Sequence, residues 1–139
     1  MPKLNPYLRF NDEKCKEAMT FYKECIGGEL TFQTIGESPM AQEMPKEDQH
    51  RIMHASLKQG DFELFGSDMM RDKAVVGDNV ALSINCESES EIKALFEKLS
   101  AGGEVFMPLE KQFWGALFGV ITDKFGFEWM LNYQMEPEK

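Results

Sequence analysis

At 139 residues, with 42% hydrophobic and 12% aromatic residues, the chain has the length and composition of one globular domain with a real core, not a disordered polar segment. A formal net charge of -9 argues against nucleic acid and anionic membrane surfaces as partners, and would suit a cationic ligand. No apolar run is long enough to span a bilayer and "MPKLNPYLRF" carries no signal-peptide core, so the cytoplasm is the expected location.

The first unit is "NPYLRFNDEKCKEAMTFYKECIGGEL". Residues 6–10 alternate as a half-buried strand, with Leu8 and Phe10 on one side and Tyr7 and Arg9 on the other. Asn11 or Asp12 can cap the following helix, whose apolar stripe is Cys15, Ala18, Met19, Tyr22 and Ile26. Gly27 and Gly28 end that helix, and "ELTFQTI" starts a second strand. Residues 36–51, polar with two prolines, read as a loop that serves either as a mobile flap or as a disordered surface excursion. "RIMHASLKQGDFELFGS" then reads as a hairpin turning at Gln59 and Gly60.

The second unit is "NVALSINCESESEIKALFEKLSAGGEVFM". A strand over residues 80–84 precedes a helix opened by a Ser88/Glu91 capping box, with a stripe of Ile92, Leu95, Phe96 and Leu99. After "GGEV", which echoes "GGEL", a hairpin in "ALFGVITDKFGFEWMLNY" turns at residues 124–126. The expected fold is therefore α+β: one domain over residues 1–139, made of two βαβββ modules of about residues 1–70 and 78–135. Cys15, Cys25 and Cys86 form no CxxC and read first as reduced, buried thiols, with a nucleophile as the lesser alternative since neither His is near in sequence. Among ten methionines, Met40, Met44, Met53, Met69 and Met70 flank the loop and the first hairpin, where they would line an adaptable pocket or fill the core.

The segments "PYLRFND", "EAMTFY", "IGGEL", "MHASLKQGDFELFGSD" and "FWGALFGVITDKFGFEWMLN" resemble the vicinal oxygen chelate superfamily of glyoxalase, bleomycin-resistance and dioxygenase proteins. Within it the chain looks like the PhnB-like branch. The resemblance implies two curved mixed sheets around a cleft, a homodimer, and one metal ligand from the first and last strand of each module. Some members of the branch carry a methyltransferase label, but no Gly-rich cofactor loop follows a strand here.

By that resemblance the four ligand positions are Asn5, Glu63, Asn79 and Met130, where metal-using members have His, Glu or Gln. Two amides and a thioether are poor donors for a hard divalent ion, so no cofactor is expected at the inherited positions. With the hairpin turning at Gln59 and Gly60, Ser56 would face Glu63, and His54 would lie diagonally from Glu63 on the same side. That pair could act as a general base or hold a relocated divalent metal; alternatively His54 is a satisfied structural residue. Phe113, Trp114 and Phe118 are expected on strands, as walls for an aromatic ligand or as core or interface residues. Arg9, on the face of Asn5 and Tyr7, could fix an anionic group or form a surface ion pair. His50 is expected to be exposed in the loop. Alternation in "FEWMLNY" places Trp129 and Leu131 under a helix and Glu128, Met130 and Asn132 on the open face, with Glu128 at the rim.

The expected function is binding of a small molecule in the inter-module cleft without a metal at the inherited positions. The alternative is a metal-dependent lyase, dioxygenase or transferase acting through His54 and Glu63 on a small oxygenated or phosphonate-like substrate. A third reading gives the cleft to dimer assembly alone.

Overall fold

The computed structural model describes residues 2–68 and 73–135. Met69 and Met70, expected beside a pocket, lie outside the described residues. The chain divides into two compact units, Met1–Val75 and Val76–Lys139.

In the first unit, β1 (Tyr7–Arg9) runs into helix α1 (Cys15–Ile26), followed by β2 (Glu29–Thr34), β3 (Ile52–Gln59) and β4 (Phe62–Ser67). The sheet order is β1-β4-β3-β2, with β1 and β4 parallel and the remaining pairs antiparallel. The second unit repeats this plan with β5 (Ala81–Asn85), α2 (Glu89–Ser100), β6 (Glu104–Lys111), β7 (Ala116–Thr122) and β8 (Glu128–Gln134). Its order, β5-β8-β7-β6, again has only the first pair parallel. The fold is α+β, two βαβββ modules with a mixed sheet in each.

Each helix lies on one face of its own sheet, as the stripes require. Cys15, Ala18, Met19 and Tyr22 of α1 are buried along with Ala55, Leu57 and Leu64 of the sheet. Gly66 is needed for this approach, because a Cβ there would stand 2.9 Å from the Met19 sulfur and 3.1 Å from the Phe10 ring. Ile92, Leu95 and Leu99 of α2 are buried with Leu117, Ile121, Trp129 and Leu131. α1 ends at Gly27, whose φ of 87° and ψ of -172° suit glycine alone.

The start of α1 differs from expectation. Neither Asn11 nor Asp12 caps it; Lys14 is the N-cap residue and its side chain makes no capping bond. Asp68, just past β4, supplies the cap from across the sheet: Oδ1 accepts from the Cys15 amide at 2.9 Å. Its Oδ2 accepts from the Ile52 amide at 2.9 Å, so one buried carboxylate ties α1 to the start of β3. Asn11 instead clamps the backbone of Ala74, accepting from its N–H at 2.9 Å and donating to its carbonyl at 3.0 Å. Asp12 and Glu13 both take left-handed backbone, at φ 56° and 58°. At α2, Ser88 Oγ accepts from the Glu91 amide as expected, whereas the Glu91 carboxylate reaches the Glu87 amide.

Residues 36–51 are not a formless excursion. Three short 3₁₀ turns, Ile35–Glu37, Pro39–Glu43 and Lys46–Asp48, fill the connection, with Ile35 and Ser38 buried. Thr34 donates its amide and hydroxyl to Glu37, which holds the Glu37 carboxyl below the usual carboxylate range. His50 is exposed but pairs with Glu13 at 3.1 Å.

Candidate functional site

The open face of the first sheet is the side away from α1. β1 alternates exposed, buried, exposed, which leaves Tyr7 and Arg9 on this face. His54, Ser56 and Glu63 are half-buried between the buried Ala55, Leu57 and Leu64. The parallel register sets Tyr7 beside Phe65 and Arg9 beside Ser67.

The hairpin turns one residue later than the sequence suggested. Gln59 pairs with Phe62, so Gly60 and Asp61 form the turn and Gly60 carries the positive φ of 53°. Ser56 therefore faces Phe65, and Lys58 faces Glu63. This corrects the expected His54–Glu63 pair. His54's diagonal neighbour is Phe65, with ring centroids 5.1 Å apart. Tyr7 completes a set of three rings, 5.8 Å from His54 and 6.0 Å from Phe65, and its hydroxyl lies 3.4 Å from His54 Nδ1. Glu63 sits one step down the strand, where Ser56 Oγ donates to its Oε2 at 2.6 Å. Asn5 Nδ2 donates to the Glu63 carbonyl at 3.1 Å. Phe65 was missed, although the alternation of "FELFGS" places it on the same side as Glu63.

On the second sheet, Met130 is half-buried in β8, paired with Ser83 and Val120. Trp129 and Leu131 are buried, while Glu128, Met130 and Asn132 are half-buried, and Glu128 opens the strand. Asn132 Nδ2 donates to Asn85 Oδ1 at 3.3 Å. Asn79 is exposed ahead of β5. Phe118 lies on β7, but Phe113 and Trp114 form the β6–β7 turn instead of extending a strand. Phe113 is 97% exposed. It meets Trp114 edge-on at 5.0 Å, and Trp114 meets Phe118 at 5.9 Å.

Of the inherited positions, Glu63 offers a carboxylate, one oxygen of which already accepts from Ser56. Asn5 turns its amide nitrogen, a donor, to a backbone carbonyl, and Met130 offers only a thioether. The relocated pair is not adjacent, since His54 and Glu63 occupy separate steps of the sheet. Among the described residues, no three of His, Cys, Asp or Glu gather to hold a metal ion. Two of the thiols are held in the protonated form: burial, then the Asp68 charge, pushes Cys15 up to about 12, and burial, then Glu91, pushes Cys86 up to about 11. Cys25 is half-buried and none of the three forms a disulfide. No described helix is long and apolar enough to cross a membrane.

The same fold recurs in known proteins. The chain is similar to Protein YjdN of Escherichia coli, with 30% identity over 138 residues and 93% of both chains covered. It is similar to the crystal structure of protein PA1353 from Pseudomonas aeruginosa, with 37% identity, a TM-score of 0.86, and 98% and 100% of the two chains covered. A PhnB protein from Bacillus cereus, described as a candidate 3-demethylubiquinone-9 3-methyltransferase, matches at 25% identity and a TM-score of 0.75 over 95% and 99% of the chains. Residues 4–131 match the Glyoxalase/Bleomycin resistance protein/Dioxygenase superfamily model, and the chain belongs to that superfamily.

Proposed function

We propose that the chain is a PhnB-like protein that binds a small molecule against the open face of its first sheet, without a metal at the inherited positions. The observation that carries this reading is the set of three rings, Tyr7, His54 and Phe65, with centroids 5.1–6.0 Å apart beside a carboxylate held by Ser56. Rings with few, oriented polar groups are the composition of a ligand site. Tyr7 is 49% exposed, so the rings are open to a ligand. The metal-dependent alternative through His54 and Glu63 loses its support, because the register sets the two side chains on separate steps. The further proposals are a homodimer, in keeping with the superfamily, and a cytoplasmic location, in keeping with three thiols outside any disulfide.

Metal analysis of the purified protein, paired with thermal shifts against small aromatic ligands, tests the reading. Aromatic ligands are expected to raise the melting temperature of the native protein and to lose that effect in Phe65→Ala. Stoichiometric zinc, nickel or manganese that disappears in His54→Ala would sink the metal-free reading.

A further inference from the structure

The open face of the first sheet carries its charges in a fixed order. Along the paired strands β1 and β4, three successive steps share this face: Asn5 with Glu63, Tyr7 with Phe65, and Arg9 with Ser67. Same-side residues on a strand are about 6.6 Å apart, so Glu63 and Arg9 stand about 13 Å apart at their backbones. The rings of Tyr7 and Phe65 fill the step between them, and His54, diagonal to Phe65 on β3, stands against both rings from the Arg9 end. Along β1 and β4 the face therefore reads carboxylate, aromatic, guanidinium, with Lys58 of β3 opposite the carboxylate.

Both charged ends are available to a ligand. Ser56 donates to one oxygen of Glu63 at 2.6 Å, which fixes the carboxylate without neutralising it. Lys58 faces Glu63 in the register but makes no ion pair with it among the described residues. Arg9 is exposed and likewise makes no ion pair among the described residues. The planar fork of Arg suits a carboxylate, phosphonate or sulfonate, and Glu63 suits an ammonium or amidinium group. A ring between two such groups would lie on the aromatic step, its cationic end also drawn to the ring faces.

We propose that this face selects a zwitterion: a flat, ring-bearing small molecule with its cationic end at Glu63 and its anionic end at Arg9. The inference rests on the binding reading above and adds to it the ligand's charge pattern and direction.

Four probes that share one ring separate the outcomes: 4-(aminomethyl)benzoate, benzylamine, benzoate and benzyl alcohol. Each is titrated to millimolar concentration while the backbone amides of His54, Ser56 and Phe65 are followed by NMR. The zwitterion is expected to bind about threefold to fivefold more tightly than either singly charged probe, as suits partly exposed charges. Arg9→Gln should erase its advantage over benzylamine and leave benzylamine unchanged. Glu63→Gln should erase its advantage over benzoate and leave benzoate unchanged. Equal binding of all four probes overturns the charge ordering while the binding reading stands. If no probe shifts those amides, the binding reading fails, and the zwitterion goes with it.

Discussion

Replacing Asp68 by Asn tests how the first unit is held together. The side chain is 2% exposed, and each of its oxygens accepts a backbone amide at 2.9 Å, from Cys15 and from Ile52. Asn keeps one acceptor and turns an NH₂ group toward the other amide. That change removes one charge-assisted bond, about 1.5–3 kcal/mol, and leaves a buried N–H unpaired, about 1–3 kcal/mol. Relief of the buried carboxylate's desolvation offsets part of the loss, so about 3 kcal/mol is expected. For a chain of this size that is roughly 10 °C in melting temperature. Hydrogen exchange should locate the loss, with the Cys15 and Ile52 amides losing protection together. Asp12→Gly is the contrast: Asp12 is exposed at φ 56° and caps nothing, so Gly there should cost nothing or stabilise slightly. If Asp12→Gly destabilised more than Asp68→Asn, the account of the α1 cap would be wrong.

Gly119→Ala should cost about 1–3 kcal/mol, because the new Cβ would lie 2.5 Å from the Phe96 ring and 3.2 Å from the Leu109 Cα; urea melts measure it, and an unchanged midpoint counts against the packing described. Trp129→Phe removes the Nε1–H donated to buried Asp123 at 2.8 Å and should cost about 1–3 kcal/mol by the same melts, whereas a neutral result would mean that the Asp123 oxygen finds another donor. With an aromatic-disulfide reagent near neutral pH, half-buried Cys25 should react first and Cys15 and Cys86 only on unfolding; fast reaction of Cys15 would contradict its burial. Since both thiols are raised above the ordinary value of 9.0 in the folded chain, their contribution to stability is complete below that pH and is lost as pH rises toward about 11 and about 12. A pH series of melting temperatures, compared with Cys15→Ala, should show the native protein losing more stability over that interval.

The repeated module was legible because local signals agree with the fold in both copies. A period-two strand, a period-3.6 stripe ending at Gly-Gly, and a closing hairpin each state one element, and burying the stripes against the sheets gives the layers. Asp68 was not legible as a cap. It lies 53 residues from the amide it accepts, and nothing local separates it from the nearer Asn11 and Asp12. The 3₁₀ turns over residues 36–51 were hidden for a related reason: their composition is that of a loop, and their order comes from bonds such as Gln49 Nε2 to the Ala41 carbonyl and Gly36 N to the Gln49 carbonyl.

The candidate site depended on a finer quantity, the position of one turn. Taking the β3–β4 turn one residue early changes every facing pair by two residues, which preserves the face of each side chain and alters its neighbours. The side-to-face assignment of His54, Ser56 and Glu63 therefore survives, while the His54–Glu63 pair does not. A β-strand's alternation fixes orientation from sequence alone; adjacency needs the register, and here only the left-handed backbone at Gly60 separates the two choices. Chemistry follows adjacency. Beside Glu63, His54 could share a proton or a metal with the carboxylate; where the register puts it, its contacts are the rings of Tyr7 and Phe65. The same logic applies to Met130, which the second sheet holds on its open face where Glu128, two residues earlier, lies at the strand's start. On the second sheet the acid nearest in sequence, Glu128, stands two residues from the inherited position that Met130 holds, whereas on the first sheet Glu63 occupies its inherited position and it is His54 that the register sets apart, against the rings of Tyr7 and Phe65.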